Sequence, residues 1–319
     1  MGTGQHIISR IWKCIKMALP KAGKTCVWLL KIILPISLLV RILQYSGLLD
    51  ILSGYLEPVF SLLGLPGETS IVFLTSIFSP LYAPIALITS MSLGIREVTI
   101  LALMCLTSHN LPVESSVQAK TGSSFWVMSF LRLTMSFVIA FCLNKVMPHT
   151  GWGTIEITQS AAVCENLLEV FVLWLTTSTK VIITILVIVT FLMVLHYILD
   201  EFKLMKGLSS VFSPLMKVFG LPREAAFLWL VGNVVGLAYG SAIMVEEMNR
   251  KKLSRDGGNL LNFHLAMCHS LLEDSIIFVT IGVPLLWIVV PRLFFAILIV
   301  WLRRGLGYIY TRKLRRLYE

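Results

Sequence analysis

Four apolar runs, each close to the roughly 20 residues that carry a helix across a bilayer, constrain this chain more than any other feature. They are "VWLLKIILPISLLVRILQY", "SFLRLTMSFVIAFCLNKV", "KVIITILVIVTFLMVLHYIL" and "VPLLWIVVPRLFFAILIVWL". Hydrocarbon offers no partner to a backbone N–H or C=O, so runs of this length specify helices, whose hydrogen bonds are internal. Composition agrees: the 319 residues are 56% hydrophobic and only 14% charged, where a soluble domain carries about 25% charged residues. Mean hydropathy is +0.84. The chain reads as an all-α polytopic membrane protein with about 8–10 membrane segments, some of them broken or re-entrant. Its N-terminal "QHIISRIWKCIKMALP" spreads basic residues along its length, so no cleavable signal is read there.

The formal net charge of +10 is concentrated in "SRIWKCIKMALPKAGK", "NRKKLSRD" and "WLRRGLGYIYTRKLRRLYE". These lie between or outside the apolar runs, as positive-inside cytoplasmic segments do. Membrane lipids are therefore expected partners, and nucleic acid is not. The cysteines Cys14, Cys26, Cys105, Cys142, Cys164 and Cys268 stand singly, without a CxxC, and read as reduced packing residues. Neither a disulfide framework nor a zinc site is expected, and no cofactor is implied.

Two phrases recur in the same order. "FSLLGLPGETSIVFL" answers "MKVFGLPREAAFLWL", and placing Gly64 on Gly220 sets an offset of 220 − 64 = 156 residues. Pro58 then falls on Pro214, Glu68 on Glu224, and "HIISRIWKCI" on "AVCENLLEVF". Further on, "SHNLPVESS" meets "CHSLLEDSI" at an offset of 269 − 109 = 160, with the extra residues absorbed by "MNRKKLSRDGG". There His109 lands on His269, Leu111 on Leu271, Glu114 on Asp274 and Ser115 on Ser275. An ordered series of this length indicates an internal duplication.

The expected organisation is a basic amphipathic interfacial helix over 1–24, a first repeat over 25–147 and a linker with an amphipathic helix over 148–179. A second repeat over 180–303 and a basic cytoplasmic tail over 304–319 complete it. "SRIWKCIK" is basic whereas its counterpart "AVCENLLEV" is acidic, so the middle of the chain reads as external and the repeats as inverted. In the Gly-Leu-Pro phrases, Gly64 and Gly220 end one helix in a left-handed conformation and Pro66 and Pro222 open the next. Glu68 and Glu224 would then sit at the positive end of the helix that follows.

An ionisable group at the centre of a membrane helix costs at least about 2.5 to 3.5 kcal/mol unless it is paired or wetted, so such groups are functional candidates. His109, Asn110 and Glu114 in the first half, and His269, Ser270, Glu273 and Asp274 in the second, meet this description. Pro112 lacks an N–H and disfavours helix at Leu111, so an interruption is expected there. Asn233, Tyr82 and Tyr239, in spans broken by glycine and proline, are candidates to line a pathway with polar groups. The same glycines equally suit close helix packing.

The Gly-Leu-Pro-Gly-Glu phrase at Gly64 to Glu68 and the His-Asn-Leu-Pro-Val-Glu phrase at His109 to Glu114 resemble those of bacterial membrane proteins with the nucleoside recognition, or Gate, domain. This family is similar to spore maturation proteins A and B and includes domains of concentrative nucleoside transporters and of the ferrous iron transporter FeoB. The resemblance covers roughly residues 48–143 and 204–301 and implies two Gate-like repeats in a multi-pass protein of a bacterial inner (cytoplasmic) membrane. The chain has no Gly-x-x-x-x-Gly-Lys-Ser/Thr loop and no Gln-Thr-Glu phrase of the kind associated with nucleoside sites. The function expected is a transporter or permease for a small solute, nucleoside-like or an ion, acting through the duplicated His/carboxylate motif at the repeat interface. The alternatives are a non-transport scaffold or signalling protein of the spore-maturation type, working as a homo-oligomer or with a membrane partner, and a divalent metal permease. No enzyme is expected, since neither HExxH nor a nucleophile elbow is present.

Overall fold

A computed structural model describes residues 3–89, 91–149, 166–234, 236–237, 244–245, 247–248 and 252–318. The described elements are helical, and they form two compact units, each assembled from non-consecutive segments.

The first unit comprises Met1–Asn110, Ser136–Leu204 and Ile276–Pro284. It holds α1 (Thr3–Tyr45), α2 (Leu48–Leu62), α3 (Thr69–Phe78), α4 (Tyr82–Ile88), α5 (Ile95–Ser108) and α8 (Leu167–Glu201). Residues 1–24 do not form a separate surface helix, because α1 runs unbroken for 43 residues through Pro20 and Pro35. What holds it is a stripe of small buried residues four apart, Cys14, Ala18, Ala22 and Cys26, on a helix packed along α8. Such a stripe lets two backbones approach closely. Arg10 Nε pairs with Glu201 at 2.9 Å, Cys14 Sγ reaches the Tyr197 carbonyl and Lys21 lies over the Tyr197 ring. The boundary expected at 179/180 is likewise crossed by α8 without a break. The segment expected to be external, "GWGTIEITQ", and the first four residues of "AVCENLLEV" lie outside the described residues. Cys14, Cys26, Cys105, Cys142 and Cys268 are free thiols; Cys164 lies outside the described residues.

The second unit comprises Leu111–Met135, Met205–Ser275 and Leu285–Glu319. It holds α6 (Leu111–Lys120), the start of α7 (Phe125–Val146), α9 (Leu204–Phe212), α10 (Leu215–Val218), α11 (Ala226–Val234), α12 (Arg255–Met267), most of the first turns of α13 (Leu271–Thr280) and α14 (Leu285–Tyr318). A block of the first half of the sequence is thus built into a unit made mainly of the second. Asn262 of α12 locks it in place, donating to the Gln118 and Thr121 carbonyls at 3.0 and 3.2 Å and receiving Thr121 Oγ1 at 3.1 Å. Gln118 Nε2 returns a bond to the Asn262 carbonyl. Only glycine fits at Gly258, where a Cβ would stand 2.5 Å from the Thr121 carbonyl oxygen.

Phe125–Val146 and Leu285–Tyr308 are each long and apolar enough to cross a membrane. Trp126, Phe130 and Phe141 of α7 and Leu286, Val290 and Phe294 of α14 are exposed. A surface this apolar is suited to lipid rather than water.

Both Gly-Leu-Pro phrases end a helix as expected. Gly64 (φ 73°) and Gly220 (φ 71°) are left-handed. Leu65 donates to the Phe60 carbonyl and Gly64 to Ser61 in the first, and Leu221 donates to Met216 and Gly220 to Lys217 in the second. These are the paired bonds of a Schellman ending. The two glutamates stand where the helices that follow begin. Glu68 is the N-cap of α3 but makes no side-chain cap bond, and the carboxylate that receives a turn N–H is that of Glu57, from Gly67 at 2.5 Å. Glu224 sits in a 3-10 turn, Arg223–Ala225, ahead of α11.

Candidate functional site

Two helix breaks organise the candidate residues. In the first unit α5 ends at Ser108, and His109 turns extended (φ −61°, ψ 152°) while its N–H still donates to the Cys105 carbonyl at 2.7 Å. Asn110 is left-handed at φ 48°, and its N–H is taken by the Ser76 carbonyl at 2.8 Å. Asparagine is among the few side chains that visit this region readily. In the second unit α12 ends at Met267, Ser270 is left-handed at φ 48°, and its N–H is taken by the Gly232 carbonyl at 2.9 Å. Pro112 does not make the first break. The interruption lies at His109 and Asn110, and Pro112 occupies the first turn of α6, where a missing N–H costs nothing.

Each histidine is held by its own helix: Nδ1 lies 3.2 Å from the Cys105 carbonyl for His109 and 2.7 Å from the Leu265 carbonyl for His269. His109 is buried in the first unit, as is Tyr82 on α4. The second unit brings together Glu114, His269 and Asp274, and adds two residues that the sequence reading missed. Arg132 of α7 and Arg292 of α14 have no exposed surface. Arg132 Nη2 lies 2.8 Å from Glu114 Oε2, and Arg292 Nη2 lies 3.7 Å from Asp274 Oδ2. Arg292 also donates through Nη2 to the His269 carbonyl and through Nε to the Met267 carbonyl, bracing the very backbone that the break frees. The missed signal was available: Arg132 and Arg292 stand in the midst of apolar runs at 292 − 132 = 160, the offset of the two histidines.

His269 Nε2 lies 3.1 Å from Glu114 Oε2. A carbonyl oxygen only accepts, so the bond to Leu265 puts a hydrogen on Nδ1. A hydrogen bond between Nε2 and the carboxylate then needs one further proton, on either atom. The cluster is thus two guanidinium groups, two carboxylates and an imidazole whose Nε2 faces one of the carboxylates. Arg132 is within electrostatic reach of Asp274 and Arg292 as well as of Glu114. Guanidinium groups this close raise the electrostatic cost of a divalent cation beside them.

The other candidates are dispersed. Asn233 is buried on α11 and gives Nδ2 to its own helix, at the Trp229 carbonyl. Ser270 is buried and Glu273 half-buried in the second unit; Asn110 is half-buried in the first. Tyr239 lies outside the described residues.

The family model described as nucleoside recognition, Gate, matches residues 26–123. Over 282 residues the chain is 31% identical to the uncharacterized membrane protein YvoD of Bacillus subtilis (strain 168), an alignment covering 87% of this chain and 90% of that protein. No solved structure matches.

Proposed function

The chain belongs to the Gate family of membrane proteins, and from that premise we propose that it is a multi-pass inner-membrane transporter for a small polar solute. Its transport site is the paired charges beside the two helix breaks. The observation that carries the reading is the arginine–carboxylate pair past each break, Arg132 with Glu114 and Arg292 with Asp274. Buried charges in a membrane helix are costly and mark solute or proton paths, and broken helices at membrane depth belong where backbone lines a cavity or is buried in protein.

The two sites are two copies of one repeat on this reading. Several kinds of correspondence support it. Asn110 and Ser270 share a φ of 48°. The carbonyls that take their N–H groups, Ser76 and Gly232, stand 232 − 76 = 156 apart, which is the Gly64–Gly220 offset. Asn144, which donates to the Leu62 carbonyl, and Arg304, which donates to that of Gly220, stand 304 − 144 = 160 apart. Inverted repeats meeting at a central site are a common transporter plan. His269 Nε2 and Glu114 Oε2, 3.1 Å apart, are close enough to pass a proton between them, so the coupling in this proposal is to a proton gradient.

A scaffold is the second reading, favoured by the complete burial of both arginines, which equally suits a rigid bolt. Uptake of labelled uridine, adenosine and manganese(II) into proteoliposomes separates the readings. Saturable uptake of one solute that is abolished in the folded Glu114→Gln/Arg132→Met variant supports transport. Permeation of manganese(II) alone favours the metal permease, and uptake of none of them favours the scaffold.

A further inference from the structure

The two Gly-Leu-Pro turns are alike in backbone and unlike in charge. At the second, Lys217 and Arg223 stand on either side of Gly220, and Arg304 of α14, with Arg303 before it, reaches the Gly220 carbonyl. At the offsets of 156 and 160 residues these four fall on Ser61, Gly67, Leu143 and Asn144, none of them charged. The acidic side changes in the opposite sense: Glu57, which receives the Gly67 N–H, falls on Ser213. The first turn thus sets Arg96 and Lys145 against Glu57 and Glu68, whereas the second sets its four cations against Glu224.

Closing the turn does not call for these charges. Asn144, a neutral side chain, donates to the Leu62 carbonyl at 3.1 Å in the first turn. In the second, Trp301 Nε1 donates to the Val218 carbonyl at 3.0 Å and Arg304 Nη1 to that of Gly220 at 2.9 Å. That last bond takes one of the five N–H donors of a guanidinium. Rings set both arginines in place, Arg304 at 5.3 Å over Trp301 and Arg303 at 5.7 Å over Phe263. Lys217, Arg223 and Arg304 are exposed and Arg303 is half-buried. Like charges gathered on one turn repel one another, and an anion among them removes that cost.

We infer that this turn binds the headgroup phosphate of an anionic phospholipid. Guanidinium forks match phosphate oxygens in pairs, and Lys217 adds a point charge. The source is lipid rather than free phosphate, because apolar surface accompanies the cations: Leu215 and Val218 beside Lys217, and Trp301 and Leu302 beside the arginines, are exposed. Those arginines stand near the end of a stretch of α14 that is long and apolar enough to cross a membrane. Tryptophan and basic residues mark the level where a span leaves the hydrocarbon, and a phospholipid meets the apolar and the basic surface at once. The inference rests on the membrane setting of the chain and not on the transport reading.

The test uses the purified full-length protein in nanodiscs of phosphatidylcholine alone, or of equal parts phosphatidylcholine and phosphatidylglycerol, with inorganic phosphate added to the first as the anion without a lipid. The wild type melts about 2 °C or more higher with phosphatidylglycerol and is unmoved by inorganic phosphate. Lys217→Ser/Arg304→Asn, which installs the residues of the first turn, melts like the wild type in phosphatidylcholine and loses most of the rise. Lys217→Ser alone, at an exposed side chain, keeps the melting temperature in phosphatidylcholine and loses part of the rise, so the test stands even where Arg304→Asn weakens the turn. Lys13→Gln/Lys16→Gln, which removes two exposed cations of α1, keeps the rise. The inference is overturned by no rise in the wild type, by an equal rise with inorganic phosphate, by a full rise in both variants at Lys217, or by an equal loss in the α1 variant.

Discussion

The residue that carries most of the argument is Glu114, whose Oε2 faces both Arg132 and His269. Removing one member of a buried ion pair leaves the other charged and without compensation, at a cost of about 3 to 5 kcal/mol, whereas removing both with apolar or neutral groups of similar size is often close to neutral. Glu114→Gln alone is therefore expected to lower the melting temperature in detergent severely, and Glu114→Gln/Arg132→Met to recover most of the loss. Additive losses in the double variant would mean that the two side chains do not share their energy. Arg132→Lys tests geometry: it keeps the charge but loses the planar fork, so an intermediate loss is expected in the same melting experiment.

At the scale of elements, the breaks depend on one left-handed residue each. Asn110→Gly is expected to be neutral, and Asn110→Val to cost about 1–2 kcal/mol, because a β-branched residue is poorly accommodated at φ 48°. Pro112→Ala is expected to change stability by less than about 0.5 kcal/mol, since the first turn of α6 does not use that N–H; chemical denaturation of the three variants checks the order. The two Schellman endings were legible because glycine followed by Leu-Pro has a local cause. The break was legible in kind but placed slightly late, because a proline is visible in sequence whereas the Ser76 and Gly232 carbonyls that stabilise a left-handed residue are contributed from a distant stretch. The single helix α1 was misread as two for the converse reason: the basic residues over 1–24 suggested a separate interfacial helix, and the Cys14–Ala18–Ala22–Cys26 stripe that continues it means little until α8 is packed against it. Arg132 and Arg292 were hidden among apolar neighbours and visible only by extending the duplication past its most obvious phrases.

At the scale of the whole molecule, Leu111–Met135 of the first half is built into the unit of the second half, so that Glu114 and Arg132 share a unit with His269, Asp274 and Arg292. On the proposed reading of two repeats, this interleaving is what a shared site requires. The inverted arrangement predicts that Thr154→Cys, in a background without the native cysteines, is labelled by an impermeant thiol reagent from outside the cell, whereas a cysteine in the basic C-terminal tail is labelled only after lysis; labelling of both only after lysis would favour parallel repeats. The central claim is that both pairs serve one transport site. Its most direct test is the initial rate of solute uptake into proteoliposomes for wild type, for Glu114→Gln/Arg132→Met, for Asp274→Asn/Arg292→Met and for all four changes together, each checked for folding by its melting curve. The account predicts that either paired variant loses nearly all uptake and that combining them loses nothing more; wild-type rates in either folded paired variant would contradict it.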